Sequence, residues 1–98
     1  MIEIGGRRID WDENKAESNA RRHGVYFVDA ARIFLDDNRI EEYDAEHSIN
    51  EDRYITIGLV DSILFVVFTE RGDSTRMISA RRATKAEERR YYGQYTDL

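Results

Sequence analysis

The sequence predicts an α+β protein with helices packed on one face of a three- to four-stranded antiparallel sheet. Apolar residues at Phe27, Ala30, Ala31 and Phe34 recur at helical spacing, and from Arg53 onward the period falls to two. Val60-Asp61-Ser62 and Arg71-Gly72-Asp73-Ser74 then interrupt the apolar runs with breaks short enough for hairpin turns.

Each element follows from local chemistry. Ile2 and Ile4 alternate with polar neighbours ahead of Gly5-Gly6, which suits a short N-terminal strand and a turn. Asp10 with Glu13, or Asp12 alone, can cap a first helix that His23-Gly24 stops. Trp11, Lys15, Asn19 and Arg22 fall at spacings that place them along one face of it. The second helix runs from Phe27 to about Leu35. An acidic loop follows, with weak edge-strand character around Ile40 and Tyr43. Ile55, Ile57 and Leu59 define one strand, and the continuous run Ile63-Leu64-Phe65-Val66-Val67-Phe68 suits a central strand covered on both faces. Thr75 to Arg82 forms the next. Thr84 and Glu87 make a capping box that opens a last helix carrying Arg89, Arg90, Tyr91 and Tyr92 and ending near Gly93. The 98 residues suit one domain spanning 1–98.

Composition narrows the function. The absence of cysteine removes disulfides, thiolate nucleophiles and cysteine-based metal sites, and His23 and His47 have no second histidine at ligand spacing. No metal or other cofactor is expected. Nothing reads as a signal peptide or a bilayer-spanning stretch, so a soluble, cytoplasmic protein is expected. The net charge of −5 argues against a general nucleic-acid coat protein. The charge is nevertheless divided: residues 36–52 carry eight acids against Arg39, whereas residues 71–90 carry seven bases against three acids.

The basic segment holds the sharpest chemical cluster: Arg76, Ser79, Arg81 and Arg82, with Glu70 and Arg71 at the preceding turn. Guanidinium forks bind phosphate bidentately and stay charged, so arginines converging at a strand end suit a phosphodiester. The plainer reading is a solvated surface partly paired with the acidic segment. His23 at the end of the first helix, with Lys15 two turns earlier, offers proton-transfer groups; the histidine could equally serve only the helix cap. Trp11 could stack on an RNA base or lie in the core. Tyr91, Tyr92 and Tyr95 could stack likewise or form a patch that a partner covers.

Assembled in order, these motifs resemble the BrnT toxin family. One block runs Trp11-Asp12, Lys15, Asn19, His23-Gly24-Val25, Phe27, Ala30 and Phe34-Leu35-Asp36. The other runs Arg53, Ile57-Gly58, Thr69-Glu70-Arg71, Arg76, Ile78-Ser79-Ala80-Arg81-Arg82-Ala83-Thr84 and Glu87. Two positions depart from the family pattern: Tyr26 stands where a serine commonly opens the second helix, and Asp37 where a proline often follows. The resemblance implies a RelE-like fold and a metal-independent endoribonuclease toxin of a type II toxin–antitoxin system. It further implies a BrnA-like ribbon-helix-helix antitoxin, with promoter DNA contacted only through that partner. On this reading Arg81 and Arg82, with Arg71 or Arg76, stabilise the charge on the phosphoryl oxygens, His23 or Lys15 assists proton transfer with Glu70 as an alternative base, and Trp11 and Ser79 hold RNA. The alternative function is a non-catalytic interaction module acting as co-repressor with a DNA-binding partner.

Overall fold

The computed structural model describes residues 1–94. Tyr95 lies outside the described residues. Gly5 and Gly6 have φ of +58° and +79°, the left-handed pair that a tight hairpin requires. Strand β1 (Ile2–Ile4) therefore folds back antiparallel on β2 (Arg7–Asp10). Asp12 caps helix α1 (Glu13–His23) by accepting the Lys15 amide at 3.0 Å, and left-handed Gly24 ends it. Ala16, Asn19, Ala20 and His23 turn inward, at the i, i+3, i+4 and i+7 spacing of a packed face. This stripe is rotated from the one expected. Trp11 precedes the helix, and Lys15 and Arg22 are exposed, because Asn19 and not its cationic neighbours meets the sheet.

Tyr26 opens α2 (Phe27–Ala30) without a side-chain cap bond. After one turn the chain tightens into a 3-10 segment, Ala31–Leu35. Strand β3 (Ile40–Tyr43) is the expected edge strand, followed by β4 (Tyr54–Val60), β5 (Ser62–Arg71) and β6 (Ser74–Arg82) as an antiparallel meander. Among the described residues the sheet has six strands in the order β1-β2-β6-β5-β4-β3, two beyond the largest number expected. The N-terminal hairpin supplies the difference, because β2 joins β6 in parallel with Asp10 beside Arg76. Four residues reading Arg-Arg-Ile-Asp are too few to show a strand period, and their partner lies at the far end of the chain.

The α+β class and the packing of helices on a largely antiparallel sheet agree with expectation. The sheet is also covered from its second side. Ile9, Phe27, Ile33, Phe34, Val66, Phe68, Met77 and Ala80 form the larger core beneath α1, α2 and the 3-10 segment. Alternate residues of the strands build a smaller core of Ile57 and Ile63, with Ile55 and Phe65 at its margin. Tyr91 of α3 (Lys85–Gly93) is buried there. Leu64, Val66 and Phe68 point one way and Ile63 and Phe65 the other, so α3 lies on the face opposite α1.

Two contacts hold these layers together. Gly58 lets the 3-10 segment approach β4, since a Cβ there would come within 2.7 Å of Ile33 Cγ1. Asp36 ends the 3-10 segment and accepts hydrogen bonds from the Leu59 amide, the Asn38 amide and the Tyr91 hydroxyl. Burial alone would push its carboxyl up. The Tyr91 hydroxyl, the Leu59 and Asn38 amides and the Arg39 charge outweigh that and hold it below its ordinary value.

Asn19 joins α1 to β6. Its amide donates to the Ala80 carbonyl at 2.9 Å and the Val25 carbonyl at 3.0 Å, and its carbonyl accepts the Ala80 amide at 3.1 Å. Beyond Arg76, β2 no longer covers this edge of β6. The Asn19 side chain thus takes the place of a peptide group on the missing strand. Asn19→Leu keeps the branched side-chain shape and strands three buried backbone groups, so it is expected to lower stability by about 3 kcal/mol. Urea unfolding should show a lower midpoint at unchanged slope.

Candidate nucleic-acid interface on the second sheet face

In strand β6, Val67 lies opposite Ser79 but Phe68 lies opposite Met77, which leaves Ile78 as an extra residue in a β-bulge. Arg76 and Arg81 are an odd number of positions apart and would face opposite ways in a regular strand. The bulge brings both to the α3 side, with Arg76 opposite Thr69, Ser79 opposite Val67 and Arg81 opposite Phe65.

The segment from Asp44 to Arg53 is fastened over this face. The Asp44 amide donates to the Arg53 carbonyl at 2.8 Å. The Ser48 hydroxyl donates to the Asp44 carbonyl at 2.6 Å and accepts the Arg53 amide at 2.8 Å. Thr69 Oγ1 donates to the Asp52 carbonyl at 2.6 Å, and Arg71 pairs with Glu51 at 3.2 Å. Between loop and sheet lies an open cavity of about 400 Å³ lined by Asp44, Glu46, His47, Arg53, Ile55, Phe65, Val67, Ser79 and Arg81.

Its polar groups differ in freedom. His47 Nδ1 lies 2.9 Å from Asp44 Oδ2. An ionised carboxylate only accepts, so Nδ1–H donates and Nε2 is left for other partners. The Arg53 guanidinium makes no hydrogen bond or ion pair among the described residues. Arg81 is held firmly: it lies 4.0 Å from the Phe65 ring centroid and grips Glu87 with bonds of 2.8 and 3.0 Å. The hydrogen bonds from Arg81 hold the Glu87 carboxyl below the usual carboxylate range, burial opposing them. Among the described residues no group of three or more His, Asp or Glu side chains converges as a metal site.

The sequence-expected residues divide between the faces. Ser79 and Arg81 line the cavity, and Arg71 and Arg76 share its face. Arg82 does not converge with Arg81, because successive strand residues point to opposite sides. It lines a cleft of about 240 Å³ with Tyr26 and Leu64. Glu70 also faces the helix side, where it accepts bonds from Arg7 and Thr75 at 3.1 Å. Trp11 packs edge-on against Phe27 at 6.0 Å. Lys15 and His23 lie on α1, which packs on that same side. Asp44, His47 and Arg53 were not among the expected site residues. Arg53 was within reach of the sequence, since it falls in step with Ile55 and Ile57. His47 was not, because its loop has no period.

The family model described as ribonuclease toxin, BrnT, of type II toxin–antitoxin systems matches residues 11–87. The chain is also similar to the 1.1 Å crystal structure of the ribonuclease toxin BrnT from Brucella abortus. The two are 27% identical with a TM-score of 0.62, the match covering 81% of this chain and 99% of that one. A search of curated proteins found no match.

The Arg81–Glu87 pair has a testable pH dependence. Because folding lowers the Glu87 pKa, its contribution is complete above about pH 4.5, the ordinary glutamate value, and is lost as pH falls through the lowered value. Glu87→Gln retains the capping-box acceptor and removes the charge. It is expected to cost about 1 kcal/mol at pH 7, allowing for solvent screening, and progressively less below pH 4.5. Denaturant titrations of both proteins across the acid range measure the difference.

Proposed function

The chain belongs to the BrnT family of ribonuclease toxins of type II toxin–antitoxin systems, and from that premise we propose a metal-independent endoribonuclease that works in the cavity on the α3 side of the sheet. The observation that carries this reading is the meeting there of an imidazole oriented by a carboxylate, an unpaired guanidinium, a hydroxyl and a second, fixed guanidinium. These are the group types that RNA cleavage by internal attack requires. The substrate's 2′-oxygen bonds to the adjacent phosphorus as the bond to the 5′-oxygen breaks. The 2′-proton must be removed and the departing 5′-oxygen must gain one. Products are a 2′,3′-cyclic phosphate and a 5′-hydroxyl.

His47 is assigned the proton transfer, with Asp44 fixing its ring orientation. Arg53 contacts the phosphoryl oxygens, supported by Arg81 and Ser79, and stabilises the charge that builds on them. Arg76 extends the contact along the RNA backbone, and Arg71, paired with Glu51, holds the loop beside it. Lys15, His23, Glu70 and Trp11 lie on the other side of the sheet and receive no part in bond cleavage.

As a type II toxin family member the chain has an antitoxin partner. We assign that partner to the BrnA-like ribbon-helix-helix class, with promoter DNA bound only through it and RNA cleavage acting in the cytoplasm to arrest translation. Tyr92 is half-exposed and suits coverage by that partner.

The purified protein is expected to cleave RNA in excess chelator and leave cyclic phosphate ends. His47→Gln and Arg53→Ala should each slow cleavage about a hundredfold, the loss expected for one proton-transfer group or one donor to the developing charge. Cleavage by both variants at the parent rate would remove the assignment.

A further inference from the structure

We propose that Arg82 and Tyr26 form a second RNA subsite on the helix side of the sheet, which takes the phosphate and base of a nucleotide flanking the scissile bond. The inference rests on the cleavage site proposed above and extends it around the end of β6. Arg81 and Arg82 are consecutive, and the strand sends one to each face. An RNA chain that leaves the cavity past Arg81 therefore meets Arg82 directly on crossing the end of the sheet.

The far side is shaped to receive it. A cleft of about 240 Å³ lies between the end of α1, the start of α2 and the β4–β5 turn, with Tyr26, Asp29, Arg32, Asp61 and Arg82 among its lining residues. Its charges are unequally engaged. Arg32 is committed to Asp61 at 3.0 Å, whereas the exposed Arg82 guanidinium makes no hydrogen bond or ion pair among the described residues. A guanidinium in that state is available to a phosphate.

Tyr26 supplies the second half of the site. It stands at the N-cap of α2, where Ser, Thr, Asp or Asn would satisfy a free amide, and it makes no cap bond. The residue is 61% exposed and lines the same cleft. An aromatic face presented to solvent beside a free arginine fits a nucleobase and its phosphate. The recognition is of stacking and charge, so it favours RNA length over sequence.

The test measures binding of fluorescein-labelled RNA carrying 2′-fluoro groups, which has no attacking hydroxyl, by fluorescence anisotropy at fixed low salt. The parent is expected to bind an octanucleotide about tenfold more tightly than a tetranucleotide, as one stacked base and one phosphate imply. Arg82→Ala and Tyr26→Ala should each remove most of that length dependence, and Tyr26→Phe should keep it. Arg53→Ala instead should weaken both lengths by a similar factor, which keeps failure of the cavity separate from failure of the subsite. No length dependence in the parent would overturn the inference. So would equal weakening of both lengths by Arg82→Ala, which would return that residue to the cleavage site.

Discussion

Every side chain on the second half of β6 takes its face from one extra residue, Ile78. Without the bulge, Arg76 and Arg81 would diverge and either Met77 or Ala80 would leave the larger core. With it, Met77 and Ala80 both pack under the helices, while Arg76, Ser79 and Arg81 all reach the other side. The bulge also falls beside the place where the β6 edge loses its β2 neighbour, and there the Asn19 carboxamide binds Ala80 in a neighbouring strand's stead. A bulge frees its strand to bend. The Asn19 bonds to Ala80 tie this part of the strand, with Ser79 and Arg81 beside it, to the packing of α1.

The division of charge along the chain has a structural counterpart. The acidic segment does not stand apart from the basic one: Glu42 binds Arg90 at 2.9 Å, Glu51 binds Arg71, and Asp36 accepts the Tyr91 hydroxyl. Arg90 draws the Glu42 carboxyl below its ordinary value, and Glu42 raises Arg90 in turn. These pairs are partly exposed, and each adds little to stability alone. Their effect is positional. They fasten α3 and the Asp44–Arg53 loop to the sheet and leave Arg53 without an acidic partner among the described residues.

Much of the fold was legible because local chemistry and tertiary packing agree. The Asp12 cap, the Gly24 stop, the Thr84–Glu87 capping box and the alternation from Ile55 to Leu59 each specify their own element. The parallel β2–β6 pairing was not, since β2 has four residues and its partner is distant in the chain. The site was half legible. Arginine at 76 and 81 with serine at 79 marked the residues that share one face of β6, but sequence spacing does not reveal the bulge that brings them together. For that reason Arg82 was grouped with Arg81 although the two face apart. Helical spacing also put Lys15 and His23 forward, because proton-transfer chemistry can be read from residue type and the intervening sheet cannot. His47 reaches the cavity only through tertiary bonds that no local pattern encodes, those by which Ser48 and Thr69 fasten its loop over the strands.

The most direct test of the account is a nitrogen–proton NMR titration of the isotope-labelled protein with a 2′-fluoro RNA octanucleotide, following backbone amides, arginine Nε–H groups and the histidine rings. The account predicts the largest shifts at His47, Arg53, Ser79 and Arg81. Shifts confined to Trp11, Lys15, His23 and Glu70, with the Asp44–Arg53 loop unmoved, would place RNA on the other side of the sheet and contradict it.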